Sequence, residues 1–161
     1  MEWNNFITEL LGIKGWKVAR AAIEEKKGVK AVVIDIQRES REYICSKCGS
    51  VVYKAYTYKE QKIQHLLWWQ YPTYLRFTKY RVNCLCCGKK VEKLRLAKWY
   101  GRVTNTLASL VGELCKVMTV EAVSLLLNLH WGTVKELDKR AINPKNAIGF
   151  YIQGHECPQS L

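Results

Sequence analysis

"YRVNCLCCGKKVEK", residues 80–93, places three cysteines within four positions, then a glycine and two lysines. A second stretch, "ICSKCGS" at residues 44–50, carries the matching half. Cys45 and Cys48 form C-x-x-C before Gly49, and Cys84 and Cys87 form C-x-x-C before Gly88. Two intervening residues let both sulfurs of a knuckle reach one tetrahedral ion at about 2.3 Å. The glycine after each second cysteine permits a positive φ, so that backbone amides turn toward the sulfurs. Cys45, Cys48, Cys84 and Cys87 are therefore the expected ligands of one structural Zn2+. A redox pair would need a single C-x-x-C at a strand-to-helix junction, and the repeated pattern also argues against core filler. Cys86 is the odd thiol of the second knuckle, Cys115 reads as core, and Cys157 as an incidental thiol of the tail.

Thirty-five residues separate Cys48 from Cys84. That exceeds the usual ribbon spacing, so this segment must form a hairpin or loop of its own. "YPTYLRFTKYRVNC" is β-rich, with Leu75 and Phe77 alternating and Tyr80 and Val82 on the opposite parity. The parity change predicts a bulge near Thr78 or Lys79. Upstream, Asn4 to Gly12 suits a short helix. Trp16 to Ile23 and "VKAVVIDIQ" read as a hairpin turning at "EEKKG".

After Arg102 the period becomes helical. Leu107, Leu110, Val111 and Leu114 fall at spacings of three and four, and Thr104 and Thr119 are suitable N-caps. "EAVSLLLNLHWGTVKELDKR" has helix-turn-helix spacing. Ser124 allows two helices to approach, Asn128 tolerates the left-handed turn, and Leu129 plugs the core. Val134 and Leu137 face inward. Trp131, Thr133, Lys135 and Lys139 are then the base-reading candidates of a recognition helix. A plain helical hairpin is the competing reading.

The net charge is +12, and between Lys54 and Arg102 twelve Lys/Arg meet only Glu60 and Glu92. Such a window suits a polyanion, whose counterions are released on binding. The phosphate-contact candidates are Arg76, Lys79, Arg81, Lys89, Lys90, Lys93, Arg95, Lys98 and Arg102. His65 reads as a packing or phosphate-contact residue. No stretch approaches the roughly 20 apolar residues of a membrane span. The N-terminus lacks a signal-peptide pattern, so the expectation is a cytoplasmic protein with no membrane partner.

The expected class is α+β: a small β-rich zinc ribbon followed by a three-helix helix-turn-helix unit. The divisions are 1–40 (helix and hairpin), 41–102 (ribbon with basic insertion), 103–142 (helix-turn-helix) and 143–161 (irregular tail). The order of these parts resembles the N-terminal region of ISL-three family insertion-sequence transposases. The matching stretches are "LLGIKGWKVARAAIE", "ICSKCGS", "IQHLLWWQYPTYLRF", "KYRVNCLCCGKKV" and "EAVSLLLNLHWGTVK". The resemblance implies that ribbon and helix-turn-helix bind double-stranded DNA at the terminal inverted repeats of an element; a homodimer is compatible with such a target. In the family a DDE nuclease domain follows and carries out strand transfer with divalent metal. Here only 19 residues follow Ile142. The expectation is therefore a DNA-binding module with no catalytic residues, as in a truncated transposase. The rival is a ribbon that binds single-stranded RNA or a protein through Tyr53, Tyr56, Tyr58, Trp68, Trp69 and Tyr71.

Overall fold

The computed structural model describes residues 3–97 and 102–142. The tail division 143–161 and Lys98 lie outside the described residues. Helix α1 (Trp3–Leu11) ends at Gly12, whose φ of 59° lets its amide reach back to the Thr8 and Glu9 carbonyls. Strands β1 (Trp16–Lys26) and β2 (Val29–Arg38) form an antiparallel hairpin. Its turn holds Lys27 and Gly28 at φ 52° and 78°, the sign that a tight two-residue hairpin requires at both positions.

Strands β3 (Tyr43–Ile44) and β4 (Val51–Val52) pair around the first knuckle. The long insertion becomes a 14-residue-per-strand hairpin, β5 (Ala55–Trp68) and β6 (Tyr71–Cys84). Strand β7 (Gly88–Val91) folds back on β6 after the second knuckle. The main sheet runs β1-β2-β6-β5, with β7 also on β6, and only the β2–β6 pair is parallel. One sheet thus crosses the division expected at residue 40. The N-terminal hairpin is built into the ribbon's insertion, so the β part is larger than a small ribbon.

No register shift falls near Thr78 or Lys79; the irregularities lie between Ala55 and Thr57 and between His65 and Trp68. The expected bulge in β6 is corrected by a change of cover. Leu75 and Phe77 point to one side of the sheet, where Ile7 of α1, Trp16, Leu94 and Leu96 complete a core. Tyr80 points to the other side, where its ring lies 4.9 Å from that of Tyr43 beside the first knuckle. Val82 and Cys84 follow the Tyr80 parity and are buried. A regular strand can switch its buried parity when different elements cover its two faces.

Helices α2 (Asn105–Leu114), α3 (Val120–Leu127) and α4 (Trp131–Ile142) enclose a second core of Leu107, Val111, Val123, Leu127, Leu129, Val134 and Leu137. With α1 the described residues hold four helices, so the fold is a mixed α and β one with a β-rich N-terminal region. Thr104 and Thr119 cap α2 and α3 by accepting from the Leu107 and Ala122 amides. Gly112 has no room for a side chain: a Cβ there would lie 2.9 Å from that of Ala141, so α2 and α4 cross closely.

Strand β5 joins the two cores. Leu66 and Leu67 pack against the helical core. The Gln64 amide donates to the Arg102 carbonyl, and the Gln64 carbonyl accepts from Thr104, both at 2.9 Å. The Gln64 side chain donates to the Leu127 carbonyl at 3.0 Å, at the end of α3. His65 lies beside it, buried, with Nδ1 2.8 Å from the Thr104 hydroxyl. That hydroxyl also accepts from the Leu107 amide, and the direction of its bond with Nδ1 follows the imidazole tautomer. Of its two expected roles, His65 has the packing one.

Burial lowers the His65 pKa from its ordinary value of about 6.5. The folded chain therefore binds this proton less readily than the unfolded chain does. The corresponding stability is fully present above about pH 6.5 and is lost as pH falls toward the depressed folded value. The melting temperature should drop more between pH 7.5 and pH 5.5 in the wild type than in His65→Gln, measured by circular dichroism. Equal drops would show that His65 stays solvated.

Candidate metal centre and nucleic-acid interface

The four predicted thiols converge. The Sγ atoms of Cys45, Cys48, Cys84 and Cys87 all lie within 4.8 Å of one another, and those of Cys48 and Cys84 are 3.5 Å apart. Four sulfurs around a tetrahedral zinc at about 2.3 Å would be separated by about 3.8 Å, so the set fits the ion. Cys86 is exposed and does not join the cluster. Each knuckle sits on a turn of its own hairpin. Gly49 and Gly88 have φ of 75° and 69°, as the motif required. The Gly49 amide closes the first turn onto the Cys45 carbonyl at 3.0 Å, and the Cys45 amide donates to the Ser50 carbonyl at 2.9 Å.

The thiols ionise unequally. The hydrogen bond from Ser50, 3.0 Å from the Cys48 sulfur, draws the Cys48 thiol down to about 6. Desolvation, followed by the neighbouring Cys48 and Cys45, pushes the Cys87 thiol up to about 12. Clustered thiolates repel one another, and a divalent cation among them removes that penalty. The residues therefore fit one structural Zn2+ held by Cys45, Cys48, Cys84 and Cys87.

A buried pair that no local pattern signals locks the ribbon to the sheet. Glu92, one of two acids in the basic window, has a wholly buried side chain that pairs with Arg38 of β2 and accepts from the Tyr80 amide at 2.7 Å. Burial raises its pKa, against the Tyr80 amide and the Arg38 charge, which lower it. The Arg38 guanidinium lies over the rings of Trp16, Tyr43 and Tyr80, at 4.6, 5.1 and 5.6 Å.

The predicted phosphate contacts separate into groups. Arg76 is corrected: Asp35 at 2.5 Å and Glu24 at 3.0 Å neutralise it, and the hydrogen bond to Asp35 raises its pKa. It organises the open polar face of the sheet, where these acids offset its charge. Lys79, Arg81 and Lys89 share the other face by strand parity, and Lys90 lies on the knuckle side. Lys93 and Arg95 are exposed after β7, and Arg102 is exposed where the chain enters the helical unit.

The helix-turn-helix geometry is well formed. Asn128 adopts φ 50° and ψ 46°, the left-handed turn expected of it. The Ser124 hydroxyl donates to the Leu129 carbonyl at 2.7 Å, tying α3 to the turn. His130 caps α4: its Nδ1 accepts from the Gly132 amide at 3.1 Å, and its carbonyl accepts from Thr133 and Val134. A histidine thus fills the capping role usually held by a small polar residue. Trp131, Lys135 and Lys139 are exposed, and Thr133 is half-buried. The Lys135 ammonium sits 4.5 Å over the Trp131 ring, which presents both from the start of α4.

The metal assignment predicts that the reduced protein carries about one zinc per chain. Cys48→Ser should lose it, whereas Cys86→Ser should retain it, as read by metal analysis after gel filtration. Chelation should unfold the segment from Cys45 to Gly88, since binding and folding of such sites are coupled. Full occupancy in Cys48→Ser would refute the ligand set.

Two domain models match the chain. Residues 41–87 match the zinc-finger of transposase IS204/IS1001/IS1096/IS1165, and residues 92–142 match the helix-turn-helix domain of transposase family ISL3. The transposase for insertion sequence element IS1001 of Bordetella parapertussis is 29% identical over 129 residues. That alignment covers 80% of this chain and 32% of the relative, so the chain spans about a third of the length of that protein. No solved structure matches. No helix among the described residues is long and apolar enough to cross a membrane. A four-thiol ribbon joined to a pinned helix-turn-helix, with both parts matched in this order, shows that the chain carries the zinc-ribbon and helix-turn-helix domains found in ISL3 family transposases.

Proposed function

We propose that this chain binds duplex DNA at the terminal inverted repeats of an insertion sequence, and binds without cutting. The observation that carries this reading is α4, whose exposed Trp131, Lys135 and Lys139 project from a turn pinned by Ser124, Asn128 and Gln64. A recognition helix must hold its first turns at fixed depth in the major groove, and a pinned turn supplies that. Lys90, Lys93, Arg95 and Arg102, which lie off the sheet parity of Lys79, Arg81 and Lys89, add phosphate contacts that fix register without reading sequence. Two copies on paired half-sites would match the symmetry of inverted repeats.

The non-catalytic part of the proposal rests on the acids. Two-metal strand transfer needs several carboxylates in fixed positions. Near the C-terminal end the sequence offers Glu136, Asp138 and Glu156. Glu136 is already paired with Arg140 at 2.8 Å. Asp138 lies two positions on, about 200° around the helix, so the two cannot clamp a metal pair.

Affinity for a duplex carrying the DNA that flanks the gene should fall steeply with salt, by about 0.9 counterions per phosphate contact. Reversing Lys90, Lys93 and Arg95 to Glu should weaken all duplexes alike. Lys135→Ala should cost about 1–3 kcal/mol, and only on the matching sequence. A salt-independent affinity would point to a protein partner.

Supercoiled plasmid bearing the element ends should remain uncut in manganese. Nicking that tracks the protein and survives Glu136→Ala with Asp138→Ala, a control for contaminating nuclease, would overturn the non-catalytic reading.

A further inference from the structure

Among the described residues, the side of the sheet that carries Leu75 and Phe77 is covered only in part. Beyond Phe77 and Ile63, the same parity continues through Thr57 and Lys59 of β5, Lys79, Arg81 and Asn83 of β6, and Lys89 of β7. All of these are exposed except Lys79, which is half-buried. No carboxylate occupies this parity there: Glu60 and Glu92 fall on the other, and the Glu92 side chain is wholly buried.

Lys59 and Lys79 are direct cross-strand partners. Like charges directly opposite destabilise a strand pair, so folding alone gives no reason for this one. Arg81 is diagonal to Lys59, and Lys89 is diagonal to Arg81. The four cations therefore follow one another at spacings of about 5–8 Å across the sheet. A bound polyanion would relieve their repulsion.

Tyr56 shows what kind of polyanion fits. It lies at the register shift of β5, is 47% exposed, and has the Lys89 ammonium 5.5 Å from its ring. A paired duplex laid on a flat sheet offers it phosphates but no open base face. An unpaired strand offers both, and base–aromatic stacking beside a cationic track is how unpaired strands are held.

From these placements we infer a second nucleic-acid site on the bare half of this sheet, one that takes an unpaired DNA strand. Tyr56 stacks on a base, and Lys59, Lys79, Arg81 and Lys89 hold the phosphates. The site lies apart from α4: the helical unit meets β5 at Gln64 to Leu67, about 20 Å along the strand from Lys59. The inference deepens the DNA-binding reading and rests on it for the choice of DNA over RNA.

The test uses the zinc-loaded full chain with three fluorescent probes: oligo-dT, oligo-U and a blunt duplex carrying the DNA that flanks the gene. The wild type should bind oligo-dT at least as tightly as oligo-U. Tyr56→Ala should weaken oligo-dT binding about five- to hundredfold, and Tyr56→Phe should keep it within about twofold. Duplex affinity of Tyr56→Ala should stay within about twofold of wild type, with an unchanged zinc content. The proposal is overturned if the wild type does not bind oligo-dT, if Tyr56→Ala binds it as well as wild type does, or if that variant loses duplex affinity by the same factor. Oligo-U bound tenfold more tightly than oligo-dT would overturn the choice of DNA. Failure on oligo-dT with duplex binding intact removes this site alone, whereas oligo-dT binding without duplex binding removes the duplex reading and leaves this site.

Discussion

Four sulfurs from two distant hairpins must meet within one coordination sphere, and the architecture follows from that demand. The first knuckle joins β3 to β4 and the second joins β6 to β7, with 35 residues between Cys48 and Cys84. That intervening chain must leave the site and return to it. A long antiparallel hairpin does so with its backbone groups paired, and its far end is free for other work. Here the far end docks the helical unit, while the near end carries the second knuckle. One hairpin thus ties the metal centre to the helix-turn-helix unit.

Two buried polar clusters hold this frame. At the ribbon end, Arg38 reaches from β2 under three aromatic rings to the buried Glu92. Removing either charge would leave its partner buried and uncompensated, which is far costlier than the pair itself is stabilising. At the helical end, Gln64, His65 and Thr104 satisfy one another and the exposed end of α3. Such contacts have directional geometry, so they fix how the helical unit sits on β5 as well as that it sits there.

The basic window divides in a way its charge count hides. Arg76 and Lys62 are absorbed by Glu24, Asp35 and Glu60, which makes one face of the sheet nearly neutral. Among the described residues of β5, β6 and β7, no carboxylate shares the parity of the cations left on the other face. Uncompensated charge held by backbone register, rather than by flexible linkers, suits a backbone of regularly spaced phosphates.

The metal ligands, the caps Thr104 and Thr119, the turn at Asn128 and the first hairpin were all legible in the sequence. Each is set by local chemistry: ligand spacing, a side chain bonded two or three residues on, or a permitted positive φ. What the sequence could not show depends on which elements cover each other. The parity change in β6 read as a bulge because a single strand does not reveal that α1 covers one face and the first knuckle the other. Arg76 read as a phosphate contact because Asp35, 41 residues away, becomes its neighbour only through the parallel β2–β6 pairing. Glu92 and Gln64 gave no signal, since their partners Arg38 and Leu127 lie 54 and 63 residues distant. Local sequence determined the site's parts, and the sheet's long-range register decided which charges in the basic window acquired acidic neighbours.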